Sequence, residues 1–281
     1  MTPKTKHLEV TLDTEVESVN VAEAMCLRVA EAAGFGEDEC YRIGMSVREG
    51  MINAFHYGNQ ERPDKKIHLA VDLTPEKMVI HVLDEGAGFN LASVPDPLAE
   101  ENLLSTSGRG IFLMRAFMDE FDVVSGRTGG AEIIMAKKLP SVHSSGGASG
   151  PGEPAAMPGD MQEGGSHVVL RATYRDAGPA TVVDIGGRIT LGEGSALLRK
   201  TIRELLEQKR ANILLNLADV DYIDSSGIGE LVSGYAAVQK VGGSLKLLQL
   251  TKKVHDVLQL TRLFTVFEVY SDERTALRSF H

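Results

Sequence analysis

Cysteine is scarce: Cys26 and Cys40 are the two in 281 residues. Each falls in a predicted helix, far from a second thiol or a His at ligand spacing, which excludes a disulfide framework and a zinc site and leaves them as core or surface thiols. Cationic side chains are outnumbered, 29 Lys and Arg against 39 Asp and Glu, for a net charge of -10 and a pI near 5.3. A nucleic-acid surface needs clustered Lys and Arg to displace counterions, so nucleic acid is not an expected partner. No apolar run reaches the roughly 18 residues of a membrane span, and Met1 to Val10 lacks the apolar core of a signal peptide. The expected location is the cytoplasm, with no membrane contact. There is also no Gly-x-x-x-x-Gly-Lys-Ser/Thr, which excludes a P-loop nucleotide site.

What is present suits a globular chain with real cores: 43% of residues are hydrophobic, and the length suits about two domains. The composition breaks at residues 140–166, almost entirely Gly, Pro, Ser and Ala, which cannot bury enough apolar surface to offset the entropy of ordering. The expected division is a first domain over 1–139, a flexible linker over 140–166 and a second domain over 167–281. As a coil, such a linker would span roughly 30 Å, enough to let the two domains meet.

In the first domain, His7 to Leu12 alternates like a strand, and Val16 to Ala33 reads as an amphipathic helix ending at Gly34. A second helix begins near Asp38 and carries Arg48 to Asn59. Ile43, Val47, Met51 and Ala54 share one side of it, while Ser46, Glu49, Asn53 and His56 share another. Such a polar stripe is either a solvated face or a place where a carboxylate and an amide, one turn apart, act together on a metal ion and a nucleophile. Lys66 to Leu73 and Lys77 to Leu83 alternate in polarity around Thr74-Pro75-Glu76, as an antiparallel hairpin does. The second of these strands runs into Asp84-Glu85-Gly86-Ala87-Gly88, a turn whose glycines allow close backbone approach. Ser107-Gly108-Arg109-Gly110 opens a helix to about Met118, and a glycine-rich helix start presents free N–H groups to phosphate. Strands at Phe121 to Gly126 and Ala131 to Leu139 complete the segment.

Glu-x-x-x-Asn on a helix, a strand ending Asp-x-Gly-x-Gly and a Gly-x-Gly helix start, in that order, resemble the GHKL (Bergerat) ATP-binding fold, in particular the anti-sigma-factor serine kinases. The resemblance covers residues 7–139 and implies an α/β sandwich that binds ATP and Mg²⁺. By that resemblance Asn53 would ligate Mg²⁺, Asp84 would accept a hydrogen bond from the adenine amino group, and Gly86 and Gly88 would line the base pocket. Gly108, Arg109 and Gly110 would form the phosphate lid, and Glu49 would be the general base. Two positions depart from the pattern: Tyr57 stands where His is usual, and Ala131 follows Gly130 where Thr is usual.

In the second domain, Leu170 to Tyr174 and Ala180 to Ile185 read as strands, Glu193 to Gln208 as an amphipathic helix and Asn212 to Leu217 as a buried strand. A helix from Asp224-Ser225-Ser226-Gly227 to about Val241 follows. Strand Ser244 to Leu250, helix Lys252 to Gln259, and segments Val266 to Tyr270 and Asp272 to Phe280 close the chain. Asp and Ser before a helix are preferred N-caps, which explains Asp224 and Ser225 without any chemistry. Yet Asp-Ser-Ser-Gly-Ile-Gly after a buried strand, with the later Val241-Gly242-Gly243-Ser244 turn, is similar to the STAS domains of anti-sigma-factor antagonists. That resemblance implies a mixed sheet with helices and makes Ser225 the phosphoacceptor, with Ser226 a neighbour or cap.

Together the resemblances imply an α/β (α+β) chain that is a partner-switching regulator, a serine kinase domain fused to a STAS domain, phosphorylating Ser225 of its own or a separate chain. The implied partners are a sigma factor, a separate anti-sigma or STAS protein, a PP2C-type phosphatase and a second copy bound through the first domain. Two other readings stay open: a non-catalytic nucleotide-binding and docking scaffold, and an ATP domain of histidine-kinase type. Against the latter, no dimerisation helix bearing a His precedes Asp38.

Overall fold

The computed structural model describes residues 5–88, 91, 94–105, 108–126, 129–140 and 170–280. Residues 141–166, the core of the expected linker, and Ser107 of the glycine-rich helix start lie outside that set.

The first domain is a helical layer on one antiparallel sheet. Strands β1 (Lys6–Asp13), β2 (Lys66–Leu73), β3 (Lys77–Asp84), β4 (Glu120–Ser125) and β5 (Ala131–Lys138) lie in the order β1-β2-β3-β5-β4. Helices α1 (Val16–Ala32), α2 (Glu37–Asn53) and α3 (Arg109–Phe117) complete it. The expected hairpin is the β2–β3 pair, with Ile67 opposite Asp84 and Leu73 opposite Met78. Along both strands buried residues alternate with half-buried ones, so Ile67, Leu69, Val71, Met78, Ile80 and Val82 all project to the helices. They meet Ile43, Val47, Met51 and Ala54, the apolar stripe of the second helix. That helix does not run evenly to Asn59. After Asn53 it widens into a π turn, Ala54–Gly58, closed by Asn59 N–H donating to Ala54 O at 2.7 Å. Such widenings tend to sit at functional sites.

The second domain is a mixed sheet in the order β10-β9-β8-β7-β6, from β6 (Arg171–Asp176), β7 (Thr181–Ile189), β8 (Asn212–Ile223), β9 (Ser244–Leu248) and β10 (Val269–Tyr270). Only the β6–β7 pair is antiparallel. Helices α4 (Glu193–Glu207), α5 (Ser225–Lys240), α6 (Lys252–Leu260) and α7 (Glu273–Arg278) surround it. Strand β8 runs six residues past its apolar run and delivers Asp224 to the start of α5. Of the segment Val266 to Tyr270, the last two residues form strand β10. Its earlier apolar side chains serve a turn, and Phe267 packs edge-on against Tyr235 with ring centres 5.4 Å apart.

The two domains share a core. Met45 and Leu113 of the first are buried within the second domain's apolar cluster, with Tyr41 and Phe117 packed against it. Tyr41 and Tyr222 meet edge-to-face at 5.5 Å, a geometry in which the positive edge of one ring faces the negative face of the other. Tyr41, Met45 and Arg48 are three and four residues apart and form a third stripe on α2, facing the second domain.

Candidate functional site

Glu49 sits where α2, the start of α3 and the start of α5 converge, and it has no solvent exposure. The solvated-face reading of its stripe therefore fails: Ser46 and Glu49 are both fully buried. Ser225 Oγ donates to Glu49 Oε2 at 2.5 Å, and Ser225 N–H donates to Oε1 at 2.8 Å. One carboxylate thus holds both the hydroxyl and the backbone of the serine. Burial pushes the Glu49 carboxyl up to about 7, and the negative charge of Asp224 adds to the shift, while the two Ser225 hydrogen bonds oppose it. A base poised near neutral pH is well matched to taking a hydroxyl proton.

On the side of α3, a Cβ at Gly110 would lie 2.5 Å from Glu49 Oε2, so only glycine lets the helix begin this close to the carboxylate. Gly108, with φ +84°, turns the chain into that helix in a conformation that favours glycine.

Asp224 has two roles at once. Its Oδ1 accepts from Gly227 N–H at 2.9 Å, the N-cap that spacing alone assigns it. Its Oδ2 accepts from Leu191 N–H at 2.9 Å and from Arg48 Nε at 2.8 Å. Arg48 Nη1 in turn donates to Asn20 Oδ1 and Glu23 Oε2, at 2.7 and 3.0 Å, and Glu23 Oε1 accepts from Arg188 Nη2 at 2.7 Å. Arg48, Glu23 and Asp224 are all nine-tenths or more buried. The clamp therefore compensates its own buried charges across the domain boundary.

A cavity of about 630 Å³ opens beside Ser225 and is lined by both domains. Asn53, Asp84, Gly88, Gly108 and Gly110 line it from the first. Asp84 Oδ1 accepts from Gly86 N–H at 2.8 Å and Ala131 N–H at 3.1 Å, which fixes the carboxylate at the strand end. Burial raises the Asp84 pKa, against the pull of those two N–H groups. Buried Asn59 supports the same corner. Its Nδ2 donates to Thr14 Oγ1 and Lys66 O, and its Oδ1 accepts from Glu85 N–H, each at 2.8 Å. Gly86 stands behind Asp84 rather than on the cavity wall.

Arg109 requires a correction. It is 1% exposed and does not line the cavity. Its guanidinium is turned into the loop before α3, donating to Leu103 O at 2.6 Å and to Ser105 O. It ties down that loop instead of reaching a ligand, because an arginine at the first residue of this helix folds back over the preceding chain.

The donor set fits a nucleotide with Mg²⁺. Asn53 lines the cavity, and its buried Nδ2 has no partner among the described residues, so the protein does not hold that end of the amide. Its carbonyl is a hard oxygen ligand of the kind Mg²⁺ takes, with substrate phosphates completing the shell. No cluster of three or more His, Cys, Asp or Glu that could hold a metal by itself occurs among the described residues. No helix among them is long and apolar enough to cross a membrane.

The sequence singled out Glu49, Asn53, Asp84 and Ser225, and the structure brings all four to one cavity and its edge. It gave no role to Arg48, Glu23, Arg188 or Asn59. The one available signal was the pair Tyr41 and Met45 beside Arg48, large apolar side chains outside the first stripe that a one-sided helix would not carry.

The histidine kinase-like ATPase domain family matches residues 12–137, and the STAS domain family matches residues 171–276. The anti-sigma F factor of Bacillus cytotoxicus is 32% identical over 104 residues, 36% of this chain and 71% of its own length. That of Clostridium beijerinckii is 28% identical over 119 residues, 40% of this chain and 83% of its own. An anti-sigma F factor antagonist of Paenibacillus polymyxa is 27% identical over 84 residues, 30% of this chain and 72% of its own. The chain belongs to the anti-sigma F factor family through its histidine kinase-like ATPase domain, and it carries a STAS domain joined behind it.

Proposed function

We propose that the chain is a partner-switching regulator whose first domain binds ATP and Mg²⁺ and phosphorylates Ser225 of its own second domain. The observation that carries this reading is the 2.5 Å hydrogen bond from Ser225 Oγ to Glu49 Oε2 at the edge of a cavity lined by Asn53 and Asp84. Asp84 would accept from the adenine amino group. Asn53 would hold Mg²⁺, which supplies charge neutralisation across the phosphates. Gly108, Gly110 and Ile111 at the start of α3 line the same cavity, and the free N–H groups of a helix start suit phosphate oxygens. Glu49 takes the hydroxyl proton as Ser225 Oγ bonds to the terminal phosphorus and the bond from that phosphorus to the departing ADP oxygen breaks.

Phosphate on Ser225 adds about -1.5 to -2 charge, and it would do so against Glu49 and Asp224. The start of α5 favours the added charge, but the carboxylates of the docking face repel it. Undocking would expose Tyr41, Met45 and Arg48, a face that a sigma factor or a separate STAS protein could then occupy, and a phosphatase would reset the chain. The test is phosphosite mapping by mass spectrometry after incubating the purified chain with ATP and Mg²⁺. Phosphate at Ser225 is expected. A chain that binds ATP and stays unmodified would be a docking scaffold instead.

A further inference from the structure

The cavity beside Ser225 is walled on its far side by the second domain. Ser226, Gly229, Glu230 and Ser233 of α5 line it, at spacings that place them on one face of the helix. Ser195 and Arg199, one turn apart on α4, line it as well. Arg199 is the one Lys or Arg among the described lining residues. The first domain's nearest arginines are committed elsewhere: Arg48 to Asp224, Glu23 and Asn20, and Arg109 to backbone carbonyls. Among the described residues, the first domain presents no Lys or Arg to a triphosphate in this cavity.

We propose that Arg199, on the substrate domain, is the cation that engages the terminal phosphate of ATP when the two domains are docked. The inference rests on the reading that the cavity takes ATP. Arg199 is held by Glu230, with Nε 3.0 Å from Oε2 and Nη2 bonded to Oε1. Nη1 has no partner among the described residues. The Arg199 side chain is 65% exposed and that of Glu230 14%. Glu230 thus anchors one edge of a guanidinium and leaves the other free, and a planar fork of donors is suited to phosphate oxygens. An arginine supplied by another part of the same chain is a known device for stabilising charge in phosphoryl transfer. Here it would make the nucleotide site complete only in the docked chain. By linkage, ATP would then strengthen docking as much as docking strengthens ATP binding. ADP, lacking the terminal phosphate, would do so less.

The experiment is calorimetric titration of the full-length chain, with Mg²⁺ present, by the non-hydrolysable β,γ-imido analogue of ATP and by ADP. Arg199→Ala should weaken the analogue by roughly tenfold to a hundredfold, the worth of one charged hydrogen bond, and ADP by less than about threefold on the same scale. Glu230→Gln, which breaks the ion pair but keeps the arginine, should leave the analogue's affinity unchanged or higher. A purely structural ion pair would instead make both variants weaken binding alike, and that result would overturn the proposal. So would equal losses for analogue and ADP, or no loss at all. If the parent chain binds the analogue tightly and Arg199→Ala does not alter it, Arg199 alone loses its role. If the parent binds neither nucleotide, the ATP reading falls and Arg199 falls with it.

Discussion

Arg48 and Asp224, 176 residues apart in sequence, meet through a 2.8 Å hydrogen bond across the domain boundary, with side chains 1% and 0% exposed. Each is adjacent to a residue of the proposed chemistry, Arg48 to Glu49 and Asp224 to Ser225. The ion pair therefore sets the register of base against acceptor. Because Asp224 also caps α5, pulling on Arg48 would displace the start of the helix that carries Ser225.

Arg48→Met should loosen the docked state by about 3–5 kcal/mol, since it leaves the buried carboxylates of Asp224 and Glu23 without their shared cation. Faster amide exchange at the start of α5 and along α2 is the expected signature, while the domains keep their own folds. Combining Arg48→Met with Asp224→Asn should cost less than the sum of the two changes. Strict additivity would show that the pair does not couple the domains.

Glu49→Gln should preserve ATP binding and lower the rate of transfer about 10²-fold to 10⁴-fold, because an amide cannot take the Ser225 proton. In the parent, Glu49 must be ionised to act, so transfer should rise with pH through about 7, where burial and the charge of Asp224 place it. Stability runs the other way. The docked chain retains the Glu49 proton to higher pH than the unfolded chain does, so this group's contribution diminishes as pH rises from the ordinary carboxylate range to about 7. Glu49→Gln should flatten that slope in a thermal-denaturation series. An equal slope in mutant and parent would assign it to another group.

Asp84→Asn should weaken ATP binding by about tenfold or more, the worth of one good hydrogen bond to a charged group. The amide oxygen would turn to the Gly86 and Ala131 N–H groups, which now share Oδ1. That rotation would direct an NH₂ at the adenine amino group, donor against donor. ATP titration of the variant checks it, and unchanged affinity would remove Asp84 from the nucleotide site.

The layers of both domains were legible because their signals are local. The alternation of β2 and β3, the stripe of Ile43, Val47 and Met51, and the glycines before α3 each act within a few residues. Glu49 was legible as a candidate but not its burial, because the surface that buries it belongs to a segment far along the chain. Arg48 was illegible for the same reason: its partners Glu23 and Asp224 lie on α1 and before α5. Arg109 misled because a guanidinium on a glycine-rich helix start can reach forward to phosphate or back to carbonyls, and spacing does not choose between them.

The last prediction concerns whether Ser225 is modified within one molecule. Its hydroxyl already rests on the Glu49 of the same chain, and the Tyr41–Tyr222 contact and the Arg48–Asp224 pair hold that arrangement. Transfer should then be first order, with a rate per chain independent of protein concentration over a dilution series. Ser225→Ala should abolish the main phosphosite and leave Ser226 largely unmodified, since Glu49 is bonded to Ser225 and not to its neighbour. Mixing a Glu49→Gln chain, distinguishable by mass, with a Ser225→Ala chain separates the routes. The first then offers only an acceptor and the second only a base, so any label must cross between molecules. Slow labelling of the mixture beside a concentration-independent parent is the expected outcome. A parent rate that falls in proportion to dilution, with the mixture labelled as fast as the parent, would place the reaction between chains and make the docked pair a resting state.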